Sequence, residues 1–202
     1  IAFYDRSSGV SFCTPDMKRD YLATMRRLAK KTTPSRLLSR NPIRALSNLE
    51  RYFYASIPHN KRIVLIIDFA ETVVPNTDIS RYTDEDRYCL VTLNRWSNDP
   101  IFTQGDVSIL LLTENLADIN ASIVRSPSAI KVNIPIPDEK VRESFLGYLE
   151  RQGKLLLEPR LDIGDFAKIT SGLNLVNLNQ LAAESFQEDR AIGPSYLKEK
   201  KK

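Results

Sequence analysis

Hydrophobic residues run unbroken over residues 63–67 and again over 109–112. Neither run alternates with polar residues, so both faces of each strand are expected to be covered, as in the middle of a parallel sheet. Strands are predicted over 62–69 and 108–112, and a third over 130–134. Elsewhere the apolar positions recur at helical spacing. Met17, Tyr21, Met25 and Leu28 predict an amphipathic helix over 15–30, opened by Thr14-Pro15-Asp16. Ile43, Leu46, Leu49 and Phe53 predict another from Asn41-Pro42 to about residue 57. Thr83 followed by Asp84, Glu85 and Asp86 opens a helix carrying Leu90, Leu93 and Trp96. Shorter periodic stretches predict helices over 118–124, 138–151, 162–170 and 175–187. Residues 1–13, around Ser7-Ser8-Gly9, read as a hairpin. Strands alternating with helices imply an α/β fold, a three-layer parallel sheet. The all-helical stretch beyond Pro137 implies a separate subdomain, dividing the chain into 1–137 and 138–202.

Composition narrows the class. The chain has 202 residues, 42% hydrophobic and 27% charged, which suits one folded domain with a small appendage. No apolar run approaches the ~18 residues of a membrane span, so no membrane partner is expected. Cys13 and Cys89 are far apart and His59 is the single histidine, which argues against zinc and for a reducing, cytoplasmic setting. The net charge is +4 and is concentrated in two places. The tail 198–202 reads as a solvated terminus, and it is the only hint of a nucleic-acid partner. Arg26-Arg27, Lys30-Lys31, Arg36 and Arg40 read as the wet face of a helix and its exit, with an acidic partner surface as the alternative. Tyr82, Tyr88 and Trp96 lie outside the basic stretches and are assigned to core packing rather than base stacking.

In KRIVLIIDFAET one carboxylate, Asp68, ends the strongest apolar run, and Glu71 follows three residues later. Ligands of open parallel sheets sit beyond the carboxyl ends of the strands. A carboxylate placed there suits a hydrated magnesium ion bridging to phosphate, the Walker B arrangement. A second carboxylate could orient the attacking water. Glu71 is the first candidate and Glu114 its rival. The second strand ends in Thr113-Glu114-Asn115, polar groups that a neighbouring strand would bring beside Asp68. The plainer alternative is that Asp68, Thr113 and Asn115 only cap turns and the helix that follows.

The longer stretch LLLTENLADINASIVRSPSAIKVNIPIPDEKVRESFLGYL resembles the second half of AAA+ ATPases. In that family a strand ends in a polar sensor, a short helix leads to an arginine, a strand follows, and Pro-Asp opens a helix containing an arginine. Residues 109–115 are similar to the sensor strand, Arg125 to the arginine-finger region, and Ile134-Pro135-Ile136-Pro137-Asp138 with Arg142 to the exit toward the helical lid. Residues 166–185 are similar to a passage of the lid, so the resemblance spans about 60–187. It implies a P-loop NTPase fold with a helical lid, ATP and Mg2+ as ligands, hydrolysis coupled to remodelling of a macromolecule, and a homo-oligomeric ring. Asp68 would hold magnesium, Glu71 or Glu114 would position water, Thr113 and Asn115 would meet the γ-phosphate, and Arg125 would reach a neighbouring subunit's nucleotide.

The chain departs from that pattern at several points. Phe69 stands where a glutamate usually follows the aspartate, and an ungapped match puts Glu114, not Asn115, at the sensor. Ser128 falls near the second finger arginine, and no sensor-2 arginine is found around 172–178. No GxxxxGK[ST] occurs; Gly147 to Gly153-Lys154-Leu155 comes nearest, with the wrong spacing and context. Two expectations follow: a phosphate loop lying upstream of Ile1, or a degenerate domain serving as a nucleotide-independent protein-interaction scaffold.

Overall fold

The computed structural model describes residues 1–28 and 33–200. Lys30-Lys31, the end of the first predicted helix, and Lys201-Lys202 of the basic tail lie outside them. The chain divides into two compact units, Ile1–Lys131 and Val132–Lys202.

The first unit is built on a four-stranded sheet of β1 (Ala2–Asp5), β2 (Gly9–Phe12), β3 (Ile63–Ile67) and β4 (Val107–Leu111), in the order β2-β1-β3-β4. β1 and β4 run parallel to β3 on either side of it, whereas β2 pairs antiparallel with β1 as the outer arm of the expected hairpin. The sheet is therefore mixed within an α/β architecture. Its helices are α1 (Pro15–Leu28), α2 (Pro34–Leu37), α3 (Pro42–Ser56), α4 (Asp84–Asn98), α5 (Pro100–Gln104) and α6 (Ala121–Val124). Their starts follow from side-chain caps. Asn41 Oδ1 accepts from Arg44 N at 3.1 Å ahead of Pro42, and Thr83 and Asp86 form a reciprocal capping box. The short α5, opened by Asp99 and Pro100, was not foreseen; its Phe102 is an anchor of the core, stacked on Trp96 and edge-on to Phe53.

Two expectations about the sheet need correction. Residues 130–134 form no strand: the alternating Ile130, Val132, Ile134 and Ile136 are 91%, 81%, 86% and 66% exposed and join no ladder. A strand needs a neighbour to satisfy its amides, and none of the described strands lies beside this one. Nor are both faces of the central strands sealed. Ile63, Leu65 and Ile67 are buried with Ala2 and Tyr4 of β1, while Val64 and Ile66 are half-buried and Leu110 and Leu112 remain 42% and 40% exposed. The stretch predicted as a helix over 118–124 is a 3-10 turn, Leu116–Asp118, followed by α6.

The second unit holds α7 (Glu139–Arg151), α8 (Ile163–Ile169), α9 (Leu175–Gln187) and α10 (Pro194–Lys200). Asp138, Asp162 and Asn174 cap the first three through their side-chain oxygens. Leu146, Phe166, Ala167, Ile192, Tyr196 and Leu197 form its own core. Part of the stretch read as a solvated tail thus belongs to α10. Among the described residues no helix is long and apolar enough to cross a membrane.

Candidate functional site

β3 is an inner strand, and its carboxyl end is held from both sides. Asp68 N donates to Tyr4 O at 2.9 Å on the β1 side, and Leu112 N donates to Ile67 O at 2.9 Å on the β4 side. Strand alternation places the Asp68 side chain on the open face with Val64 and Ile66. The residue is exposed, and one carboxylate oxygen accepts from Phe69 N at 2.9 Å. The other oxygen has no protein donor among the described residues.

The chain then turns sharply. Phe69 adopts φ 50° and ψ 49°, a left-handed conformation uncommon for a bulky residue, and the residue is 54% exposed. The turn is fixed by Ala70 N to Leu112 O (2.9 Å), Thr72 N to Phe69 O (2.9 Å) and Thr72 Oγ1 to Phe69 O (2.7 Å). Glu71 sits in the resulting 3-10 turn, half-buried, and its Oε2 is buried with no hydrogen-bond partner. A buried carboxylate oxygen without a donor is costly unless a cation, water or ligand satisfies it.

The loops after β3 and β4 are stitched together. Asn120 N donates to Val74 O (2.9 Å), Asn76 N to Asp118 O (2.8 Å) and Asn76 Nδ2 to Ala117 O (2.8 Å). Thr113, Glu114 and Asn115 therefore start from the strand end neighbouring that of Asp68. Thr113 Oγ1 donates to Asn115 O at 3.1 Å, and Asn115 Oδ1 accepts from Ala117 N at 3.1 Å, capping the 3-10 turn. Glu114 is exposed, with no hydrogen bond or ion pair among the described residues. Arg125, at the end of α6, is exposed with no ion pair among the described residues. Asp68, Glu71, Thr113, Glu114 and Asn115 thus share the carboxyl ends of two adjacent strands, and Arg125 stands farther along the stitched loop.

These oxygens suit a hydrated magnesium ion rather than a softer metal. No group of three His, Cys, Asp or Glu among the described residues could cage a metal alone. Magnesium takes one or two carboxylates plus phosphate and water. The phosphate side of such a site is not built by the described residues: their glycines form no loop from a strand to a helix with a following lysine.

One residue that sequence reasoning missed is Arg6. Its Nη1 donates to Thr72 O at 2.9 Å, and its Nη2 meets Glu85 Oε2 at 2.5 Å. Glu85 Oε1 accepts in turn from Asn41 Nδ2 at 2.6 Å. The acidic triplet 84–86 thus opens a helix and anchors Arg6. No local pattern marks Arg6, because its partners lie 66 and 79 residues away.

Residues 1–135 match the family description "AAA+ chaperone, N-terminal Rossmann-like domain", and residues 140–202 match "AAA+ chaperone, second helical domain". No curated protein matches the chain. The two family matches follow each other in the order of the two structural units, and the first alone covers more than half of the sequence; the chain belongs to the AAA+ chaperone family.

Proposed function

We propose that this chain is the greater part of a cytoplasmic AAA+ module that couples MgATP binding and hydrolysis to the remodelling of a protein, working as a homo-oligomeric ring. The observation that carries the reading is the position of Asp68: an exposed carboxylate at the end of an inner parallel strand, flanked by both ladders, above an open sheet face. The phosphate loop is supplied from outside residues 1–202. In support, the outer edge of β4 has no neighbour among the described strands, the apolar face beside it is half open, and residues 130–136 alternate like a strand without pairing. A strand and helix carrying that loop would satisfy all three.

Magnesium, when bound, neutralises charge on the transferring phosphoryl group. Asp68 would hold the ion. Glu71, or Glu114 in its stead, orients water and accepts its proton. Thr113 and the Asn115 amide meet the terminal phosphate, and Arg125 brings positive charge to a neighbouring subunit's nucleotide.

A second reading, a nucleotide-independent scaffold, is favoured by Phe69 in the place of the usual glutamate and by the capping bonds that occupy Thr113 and Asn115. Equilibrium binding of ATP to the full-length protein, with magnesium and with EDTA, separates the two. Magnesium-dependent binding is expected; no binding under either condition leaves the scaffold.

A further inference from the structure

Charge is unevenly placed along the chain. From residue 21 to residue 49 there is no Asp or Glu, yet Arg26, Arg27, Lys30, Lys31, Arg36, Arg40 and Arg44 all fall there. The net +4 is thus +7 from this segment against −3 from the remainder. Arg51 follows two turns of helix after Arg44.

Three of these arginines converge. Asn48 Nδ2 donates to Arg36 O at 3.0 Å and reaches Leu37 O at 3.5 Å, fastening α2 alongside α3. Arg44 lies four residues before Asn48 and Arg51 three residues after, so both share its side of the helix. Arg36, Arg44 and Arg51 are exposed, and none makes an ion pair among the described residues. Some other cations of this unit find acids, Lys61 with Asp20 at 2.7 Å, Arg95 with Glu50 at 2.7 Å and Arg62 with Asp106 at 3.0 Å, whereas Arg36, Arg44 and Arg51 gather around Asn48. Gathered like charges that pair with nothing destabilise the folded unit slightly. An anionic partner reverses that sign.

The surroundings disfavour single-stranded nucleic acid. Stacking of nucleobases needs exposed rings beside the cations. Here Tyr21, Tyr52 and Phe53 are buried, and the Tyr54 hydroxyl is engaged by Asp99 Oδ2 at 2.6 Å. Guanidinium forks also match carboxylates bidentately. Arg44 and Arg51 are separated by about 10 Å along the helix axis, the same rise that separates carboxylates seven residues apart on a partner helix. We propose that the α2–α3 surface around Asn48 docks an acidic protein segment, through carboxylates received by Arg36, Arg44 and Arg51. This does not depend on nucleotide binding.

The test is fluorescence anisotropy of labelled poly-L-glutamate, and separately of a DNA duplex, titrated with the full chain at physiological salt. Arg44→Ser/Arg51→Ser should weaken the poly-L-glutamate complex by about fivefold, as expected for two lost charge pairs. Arg81→Ser/Arg160→Ser, which removes the same charge elsewhere, should change it less than about twofold. Arg44→Lys/Arg51→Lys keeps the charge without the fork and should fall between them. Equal losses in the two serine pairs would overturn the docking surface, as would no loss in the first. Tighter binding of the duplex, abolished by the same two substitutions, would overturn the acidic-protein assignment in favour of nucleic acid.

Discussion

Arg6 donates through Nη1 to the carbonyl of Thr72 at 2.9 Å, and so ties the end of the hairpin to the turn that presents Asp68 and Glu71. The same guanidinium rests on Glu85, which holds the Asn41 side chain at the start of α3. One side chain therefore links β1, the turn after β3, α4 and α3. Arg6 and Glu85 are 41% and 30% exposed, so solvent screens much of their attraction. Arg6→Ala should lower stability by about 1 kcal/mol, chiefly through the lost carbonyl bond. In urea denaturation, a double-mutant cycle with Glu85→Ala should return a coupling of about 0.5 kcal/mol or more. Full additivity would mean that the pair stores nothing.

Phe69 inverts a usual ranking. In ordinary backbone, alanine is more stable than glycine by roughly 0.5–1 kcal/mol. At φ 50° a Cβ costs about 1 kcal/mol or more, so Phe69→Gly should be more stable than Phe69→Ala. Denaturation midpoints of the two variants check this. The opposite order would show the turn relaxing out of the left-handed region once the ring is gone.

The two thiols should behave differently. Burial pushes the Cys89 thiol up to about 12, and the residue is fully enclosed, whereas Cys13 is exposed. At pH 8 an aromatic disulfide reagent should label one thiol promptly in the native protein and both in denaturant. Prompt labelling of both in the native state would mean that α4 opens readily.

Arg142 was read as a feature of the passage to the helical unit, and the structure gives it a packing role. It is buried, with Nε donating to Ala167 O at 3.0 Å and Nη1 to Pro137 O at 2.5 Å. Arg142→Ala strips hydrogen bonds from two carbonyls and leaves a cavity between α7 and α8. It should lower the stability of the helical unit by about 3 kcal/mol, measured by thermal unfolding. A loss below about 1 kcal/mol would mean that water replaces the guanidinium freely.

What could be read from the sequence was what is locally encoded. Unbroken apolar runs located β3 and β4, and caps such as Asn41-Pro42, Thr83 and Asp138 located helix starts to within a residue or two. The adjacency of Asp68 to the Thr113 strand followed from the α/β pattern. The failures share one cause, dependence on distant partners. Residues 130–134 carry a strand's alternation, but pairing requires another strand alongside, which local pattern cannot supply. The Arg6 link joins residues far apart in the chain. The half-open sheet face was invisible because an apolar run reports what a strand can bury, not what covers it.

Turnover is the most direct check on Asp68. ATP hydrolysis should be measured for the full-length protein, for Asp68→Ala, and for Asp5→Asn as a neighbouring control. Asp5 ends β1 one strand away, its carboxylate already engaged by the Ser7 and Ser8 amides at 2.7 Å. Asp68→Ala should cut hydrolysis at least about 100-fold while Asp5→Asn stays within a few-fold of wild type. Wild-type turnover in the Asp68 variant would remove magnesium from the end of β3 and, with it, the nucleotide reading of this sheet.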